Sequence, residues 1–391
     1  MLSKEHKAII SATVPILEQG GETLTRHFYL SMFRDYPQVQ PLFNQSNQIE
    51  GKQQRALANA VLMYAKNIDR LEALGPLVST IINKHVALQI LPEHYPIVGA
   101  SLLKAIREVL GADVATDEVL AAWGAAYGQL ADILIGAEEQ IYQNNAAAEG
   151  GWRGARRFKV AQKAVESEEI ISFTLAPVDG GKVVAHLPGQ YIGIEVEVAG
   201  SPLRRQYSLS AEANGSNYRI SVKRETGGVV SNYLHDQLEV GASLNVFPPA
   251  GDFVLTQSDK PLVLISGGVG ITPTLPMLTA ALRTQRPVHF IHAARHAGVH
   301  AFRAQVDALA EQHPQLQRFY CYETGDADSA HATGYLNTQQ LAKWLPATRD
   351  VDAYFLGPQP FMKAIKRQLA ELGVPDAQAR YEFFGPAEAL A

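Results

Sequence analysis

The sequence predicts a multidomain chain in three parts: an all-α segment, an antiparallel β segment, and an α/β segment with a mostly parallel sheet. Three observations predict it. Residues 3 to about 145 carry apolar positions at helical spacing, with no strand pattern among them. Beyond the glycine-rich stretch Glu149-Gly150-Gly151-Trp152-Arg153-Gly154 the apolar period becomes two. From Pro261 onward, short continuous apolar runs alternate with helical patterns, as parallel strands joined by helices do. The parts are expected at 1–147, a linker at 148–154, then 155–259 and 260–391. A chain of 391 residues is too long for one ordinary core, which agrees with this division.

Charged residues make up 19% and hydrophobic residues 47%, a globular balance with no disordered class in view. The net charge of -5 argues against nucleic acid as a partner. Cys321 is the only cysteine, so no intrachain disulfide can form. Charges at Lys4, Glu5 and Lys7 occupy the place of a signal peptide's apolar region. Gln129, Asp132 and the glycines after Ser266 interrupt the most apolar windows. The expectation is a cytoplasmic monomer without integral membrane association.

In the first part, Ser3 is placed to cap a helix, and Ile9, Ile10, Thr13 and Leu17 form a stripe that stops at Gly20-Gly21. A second helix carries Leu24, Phe28, Tyr29, Met32 and Phe33 and halts before Pro37. A proline-flanked segment then brings in Leu42 and Phe43. From Gln48 to Ile68 a third helix places Gln53, Leu57, Ala60, Val61 and Tyr64 along one side. The next sets Val78, Ile81, Ile82, His85 and Leu88 on or near one face and is ended by Pro92. Helices from Glu93 to Leu110 and from Thr116 to Asn145 complete an all-α domain with its own core. His85 has two readings here. It is a core histidine satisfied by backbone partners, or an axial haem ligand, which requires an imidazole facing an apolar slot.

The second part alternates in Phe158-Lys159-Val160, Ile170 to Leu175, Tyr191 to Val196 and Tyr218 to Lys223. Turn signals at Asp179-Gly180-Gly181, Pro188-Gly189 and Asn214-Gly215 separate these runs and predict an antiparallel barrel. In the third part, Leu262 to Ile265 is a buried strand followed by a glycine turn and a helix. Val288 to Ile291, Arg318 to Cys321 and Ala353 to Leu356 repeat that arrangement.

Arg205-Gln206-Tyr207-Ser208 puts an arginine beside an aromatic in a barrel strand, a phosphate clamp next to a flat stacking face. Gly227-Gly228-Val229-Val230-Ser231 lets backbone N–H groups approach a pyrophosphate, with the Ser231 hydroxyl added. Gly267-Gly268-Val269-Gly270-Ile271-Thr272-Pro273 follows the first parallel strand. Pro273 replaces the third glycine of the dinucleotide fingerprint, but proline suits a first helical position. His292, His296 and His300 are spaced four apart after a strand and across Ala297-Gly298, where helical spacing has no meaning, so no zinc site is assigned.

With Pro188-Gly189-Gln190-Tyr191 before them, these motifs resemble the flavin domain of the ferredoxin reductase family. The resemblance implies that Arg205 holds the FAD phosphates within the Arg205-Gln206 motif, Tyr207 stacks on the isoalloxazine, and Ser208 hydrogen-bonds near its reactive nitrogen. It implies further contacts from Tyr191, Gly228 and Ser231. The turn Gly268, Val269, Gly270, Ile271, Thr272, Pro273 resembles the family's nicotinamide dinucleotide site. Leu356-Gly357-Pro358 matches a later family motif, with Leu356 where the family has cysteine.

A flavin accepts two electrons and releases them singly, so a one-electron acceptor is expected. The helical part resembles a globin, and the whole chain resembles the flavohaemoglobins, through its terminal Tyr381-Glu382-Phe383-Phe384-Gly385-Pro386. There Phe383 also stands where the family has cysteine. By that resemblance His85 is the proximal ligand of haem b iron, and Tyr95 and Glu138 hydrogen-bond around it. Phe43 wedges the haem. Tyr29, Gln53 and Leu57 form the distal pocket, with Tyr29 as donor to bound oxygen and Gln53 supporting it. From the residues alone, Glu138 reads as a solvated turn with Glu139, and Leu57 as core packing. Phe383 to Pro386 reach the flavin by resemblance. Lys84 and Glu382 match residues between the cofactors, either paired or each a surface charge.

The activity implied is that of a nitric oxide dioxygenase using haem, FAD and NAD(P)H, with NO and O₂ as substrates. Lipid in the distal pocket is a further candidate partner. A general NAD(P)H-dependent reductase of peroxide, free flavin or ferric compounds is one alternative, and an O₂-storing or sensing globin with a maintenance reductase is another. Arg295, after the second parallel strand, either pairs with a 2′-phosphate or is an exposed loop arginine.

Overall fold

The computed structural model describes residues 2–43, 48, 51–325 and 330–384. Its packing divides into two compact units, one of Met1–Ala147 with Ala199–Arg205, the other chiefly of Ala148–Val198 and Gln206–Phe384.

The helical unit contains α1 (Lys4–Ala12), α2 (Val14–Asp35), α3 (Lys52–Lys66), α4 (Gly75–Leu88), α5 (His94–Leu110) and α6 (Asp117–Ala147). Ser3 Oγ accepts from His6 N at 3.0 Å and caps α1. The first stripe does not stop at Gly20-Gly21. The chain breaks earlier, at Thr13, whose hydroxyl donates to Ile10 O at 2.6 Å, and Pro15 lies in the first turn of the new helix. Both glycines lie inside α2. A Cβ on Gly21 would make only an ordinary contact, 3.5 Å from the Ala58 Cβ, and the weak helix preference of two glycines does not interrupt a 22-residue helix. α3 opens at Lys52 rather than Gln48, behind Gly51 at φ 71°. α4 ends at Leu88, before Pro92 is reached, because Gln89 turns left-handed at φ 57° and ψ 50°.

The core of this unit joins Leu24, Phe28 and Met32 of α2 to Tyr64, Leu102, Ile106 and Trp123. Each such buried side chain contributes roughly 1.5–3 kcal/mol. By length and composition α6 is apolar enough to cross a membrane, with hydropathy 1.3 in its most apolar 18-residue window, although Gln129 and Asp132 led to the opposite expectation. Within the unit, Ala122, Trp123 and Ala126 of this helix are core residues.

Among the described residues the strands form two six-stranded sheets, which belong to the second unit except for Ser201–Arg205. The first is formed by β1 (Arg156–Val165), β2 (Ile170–Pro177), β3 (Tyr191–Val198), β4 (Ser201–Ser208), β5 (Tyr218–Lys223) and β6 (Ser243–Val246), in the order β4-β3-β6-β1-β2-β5. The pairs of β1 with β2 and β6, β2 with β5, and β3 with β6 are antiparallel. Beyond β4 the chain bridges back to β5 at Leu209 and Ile220, which brings the two ends of the sheet together as a barrel requires. A short helix, α7 (Val229–Asp236), follows β5.

The second sheet is wholly parallel: β7 (Leu262–Gly267), β8 (Val288–Ala294), β9 (Leu316–Tyr322), β10 (Ala332–Thr333), β11 (Asp352–Leu356) and β12 (Ala379–Tyr381), in the order β10-β9-β8-β7-β11-β12. Helices α8 (Ile271–Leu282), α9 (Arg303–Gln312), α10 (Thr338–Trp344) and α11 (Gln359–Glu371) connect its strands. The strand order runs one way from β7 to β10 and resumes on the other side at β11. The crevice at the carboxyl ends of β7 and β11 is therefore the topological switch point, where open parallel sheets bind ligands.

Candidate functional site

His85 lies in the last turn of α4, and its Nδ1 is 2.8 Å from Glu138 Oε1 and 3.2 Å from the Tyr95 hydroxyl. Tyr95 donates to the same Glu138 oxygen at 2.7 Å. The carboxylate can only accept, so the imidazole proton sits on Nδ1 and the Nε2 lone pair is left for another partner. Nε2 has no hydrogen-bond partner among the described residues. That donor set suits an axial iron ligand and does not suit a core histidine satisfied at both nitrogens.

Glu138 is not the solvated acid of the bland reading. It is 2% exposed, and α6 carries it beneath Tyr95. Burial raises the Tyr95 hydroxyl's pKa, and the hydrogen bond to Glu138 and its charge raise it further, so Tyr95 remains a donor. Two tyrosines not singled out as site residues hold this array. The Tyr127 hydroxyl donates to Tyr95 O at 2.6 Å, and the Tyr142 hydroxyl donates to Ile90 O at 2.8 Å. No local sequence signal marks them. Around the array Val78, Ile81, Ile82, Leu130 and Leu134 form an apolar cluster. Only Val86 and Ala87 of α4 are fully buried, which leaves apolar surface beside His85 for a large planar group.

Tyr29 is buried in α2, with its ring 5.7 Å from Phe43 and 5.8 Å from Phe33. Burial raises its pKa, so its hydroxyl remains a neutral donor, and it makes no hydrogen bond among the described residues. Gln53 does not support it directly: Gln53 Oε1 accepts from Gln48 Nε2 at 2.7 Å. Leu57 packs against the helical core, half-buried. Lys84 is half-buried on α4.

Arg205, Gln206, Tyr207 and Ser208 close β4. Arg205 and Tyr207 are half-buried. Ser208 is 8% exposed, and its hydroxyl finds no partner among the described residues, which leaves it available to a ligand. Tyr191 is fixed by reciprocal backbone bonds with Ala250 at 2.9 and 3.0 Å. Burial raises its pKa, and the charges of Glu382 and Asp252 add to the rise. The Ser231 hydroxyl is engaged with its own turn, accepting from Glu225 N at 3.2 Å, and Gly227 takes φ 71°.

Gly268 and Val269 turn out of β7, Ile271 opens α8, and Thr272 Oγ1 donates to Val269 O at 3.0 Å. Pro273 is the third helical residue, not the first. It still lies in the turn whose N–H groups lack intrahelical partners, so it costs no hydrogen bond. At Gly270 a Cβ would stand 2.5 Å from Leu356 O, so only glycine lets this turn meet the end of β11 at the switch point. Leu356 is fully buried in the core of the parallel sheet. Phe383 packs against that sheet's other face, its ring 5.7 Å from Tyr381, and Phe384 is exposed. Gly385 and Pro386 lie outside the described residues. His292 and His300 stack at 4.2 Å and are buried, whereas His296 lies 3.9 Å from Glu168. No group of three metal-ligating side chains occurs among the described residues.

A globin family model matches residues 26–134, an oxidoreductase FAD-binding domain matches 157–255, and an oxidoreductase NAD-binding domain matches 264–367. The chain is 66% identical to a flavohemoprotein of Pseudomonas putida and 65% identical to one of Burkholderia sp. strain TH2, each over the full length of both chains. It belongs to the flavohemoprotein family. A flavohemoglobin structure from Malassezia yamatoensis with bound FAD and heme superposes with a TM-score of 0.88 at 27% identity, covering 98% of this chain and 100% of that one. The FAD/NAD-binding domain of a nitric oxide dioxygenase from Vibrio cholerae covers 60% of this chain and 100% of its own, at 41% identity and a TM-score of 0.56. As a flavohemoprotein the chain is an NAD(P)H-dependent oxidoreductase of haem and FAD, with the globin first, then the antiparallel flavin domain, then the parallel nicotinamide domain.

Proposed function

We propose that the chain is a nitric oxide dioxygenase, converting NO and O₂ to nitrate with electrons drawn from NAD(P)H. The observation that carries this reading is the buried Glu138 carboxylate on His85 Nδ1, braced by Tyr95. Such a partner makes the imidazole a stronger donor and favours oxygen activation over simple carriage. The haem supplies the site at which O₂ and NO react, and FAD turns a two-electron donor into one-electron steps.

In this reading His85 Nε2 would hold the iron while Glu138 retains the Nδ1 proton. Phe43 and Leu57 would line the haem pocket, and Tyr29 would offer its O–H to bound oxygen. Arg205, Gly228 and Ser231 bind the flavin's phosphates, Tyr207 stacks on its ring, and Ser208 and Tyr191 orient it. Gly268 to Pro273 receive the nicotinamide dinucleotide at the switch point. Lys84 and Glu382 serve the electron route toward the haem.

The test is to supply NADH, O₂ and NO to the purified holoprotein and measure nitrate. Electron balance requires one nicotinamide oxidised for every two NO consumed. Oxidation of NADH by peroxide or ferric compounds without nitrate would replace the reading with a general reductase. Tyr29→Phe is expected to speed O₂ release by about ten- to a hundredfold, through loss of one charge-assisted hydrogen bond of roughly 1.5–3 kcal/mol. Stopped-flow displacement of O₂ by carbon monoxide checks it, and an unchanged rate would remove Tyr29 as the donor.

A further inference from the structure

Beyond the carboxyl end of the strand that follows the glycine turn, parallel dinucleotide-binding sheets meet the adenosine ribose. An acidic residue there takes a 2′-hydroxyl, and an arginine takes a 2′-phosphate. In this chain that strand is β8, and the next residue is Arg295. Its backbone is pinned, because Thr324 N and Thr324 Oγ1 donate to Arg295 O at 2.9 and 3.2 Å.

The guanidinium is already engaged. Arg295 Nη2 donates to Glu169 Oε2, and the Glu169 side chain is only 15% exposed. Glu169 sits in the turn between β1 and β2, which is seated against the loop after β8: Glu168 N donates to Gly298 O at 3.0 Å. A Cβ on Gly298 would fall 1.9 Å from Glu168 Oε1, so a larger residue there would displace the Glu168 carboxylate. The other arginine beyond β8, Arg303, is also committed. It lies 3.6 Å from Asp307 and over the Tyr320 ring at 5.5 Å. Asp307 is shared with Arg318, whereas Glu169 serves Arg295, and Glu168 and the exposed Glu323 add negative charge.

We infer that the Glu169–Arg295 pair makes the protein selective for NADH over NADPH, by neutralising the cation that a 2′-phosphate would need. This rests on the nicotinamide site proposed above. A 2′-phosphate brings a charge of about −1.5 to −2. With Arg295 paired it gains no new cation and meets acidic side chains. A ribose 2′-hydroxyl carries no such penalty.

The experiment uses the full-length holoprotein and two adenosine-half ligands, ADP-ribose and 2′-phospho-ADP-ribose, titrated calorimetrically; flavin absorbance and melting temperature verify each variant. The native protein is expected to bind ADP-ribose about tenfold or more tightly than its 2′-phosphate, a difference of roughly 1.4 kcal/mol. Glu169→Gln, which is isosteric, should narrow that ratio to about threefold or less by freeing Arg295. Adding Arg295→Ala to it should reopen the gap. Arg295→Ala alone should change 2′-phosphate affinity by less than about twofold. A native preference for the 2′-phosphate would overturn the inference. So would a tenfold loss of 2′-phosphate binding in Arg295→Ala, or a narrowed ratio that persists in the double variant. Binding of neither ligand would overturn the coenzyme reading of this edge, and the selectivity with it. The ratio of kcat/KM for NADH and NADPH in flavin reduction should follow the same order.

Discussion

Replacing His85 with alanine is expected to abolish specific haem binding and to leave FAD bound. Nδ1 of this ring is held by Glu138 at 2.8 Å, and its other nitrogen is without a protein partner among the described residues. Removing the ring removes the iron's ligand and also strands the carboxylate, which is 2% exposed and keeps only the Tyr95 hydroxyl at 2.7 Å. Leaving such a group short of a partner costs about 1–3 kcal/mol, so the helical unit should also lose stability. The residues assigned to the flavin belong to other elements, β3, β4 and α7. The measurement is the visible spectrum of the purified variant. The haem Soret band should be lost and the flavin bands kept, with NADH still reducing the flavin. Added imidazole should restore part of the haem absorbance by standing in for the missing ring. A normal haem spectrum without imidazole would remove His85 as the ligand.

The array around His85 shows what the sequence could and could not carry. Helical spacing placed His85 in an apolar stripe, because periodicity is a local property of the chain. Glu138 is 53 residues away, and its burial depends on how α6 lies against α4 and α5. No window of sequence contains that, so the residues alone pointed to a solvated turn, and only family resemblance paired it with His85. Gln53 has a local partner that spacing does not reveal. Resemblance sets it beside Tyr29, and its oxygen accepts from Gln48, five residues earlier. Gly20-Gly21 reads as a helix stop on propensity, yet both glycines lie inside α2, because propensity is a weak local bias that the rest of a 22-residue helix overrides. The parallel sheet was legible because its strands are buried on both faces and read as unbroken apolar runs. The neutralised arginine at the adenosine edge was not legible, since its carboxylate comes from a turn of the barrel.

A second large effect is expected far from the cofactors' end of the parallel sheet, at Asp352. It opens β11 and is 3% exposed. Arg286 Nη2 donates to its Oδ2 at 2.5 Å, and Arg380 Nη1 donates to Oδ1 at 2.8 Å. Arg286 precedes β8 and Arg380 lies in β12, so one carboxylate ties three strands together at their amino ends. Asp352→Asn leaves both arginines short of a buried counter-charge and is expected to cost about 3–5 kcal/mol, the usual penalty for breaking a buried pair. Burial by itself would raise the pKa of Asp352. Hydrogen bonds from Arg380 and Ser258 and the charge of Arg286 outweigh it and hold the group below its ordinary value. Burial also lowers the pKa of Arg286 on balance, but a guanidinium stays charged at any pH of interest here. The folded pKa of Asp352 is thus the lower one. Its contribution is fully present above the unfolded carboxyl value near 3.8 and is lost as pH falls through the folded value. Calorimetric melting of the two proteins from neutral pH downward should show the native one melting higher by a constant margin until about pH 4, then a shrinking margin. An equal margin at every pH, or no margin at all, would remove the carboxylate as the tie. The double variant Arg286→Met with Asp352→Leu should melt above Asp352→Asn, because two apolar side chains leave fewer charges buried and unpaired.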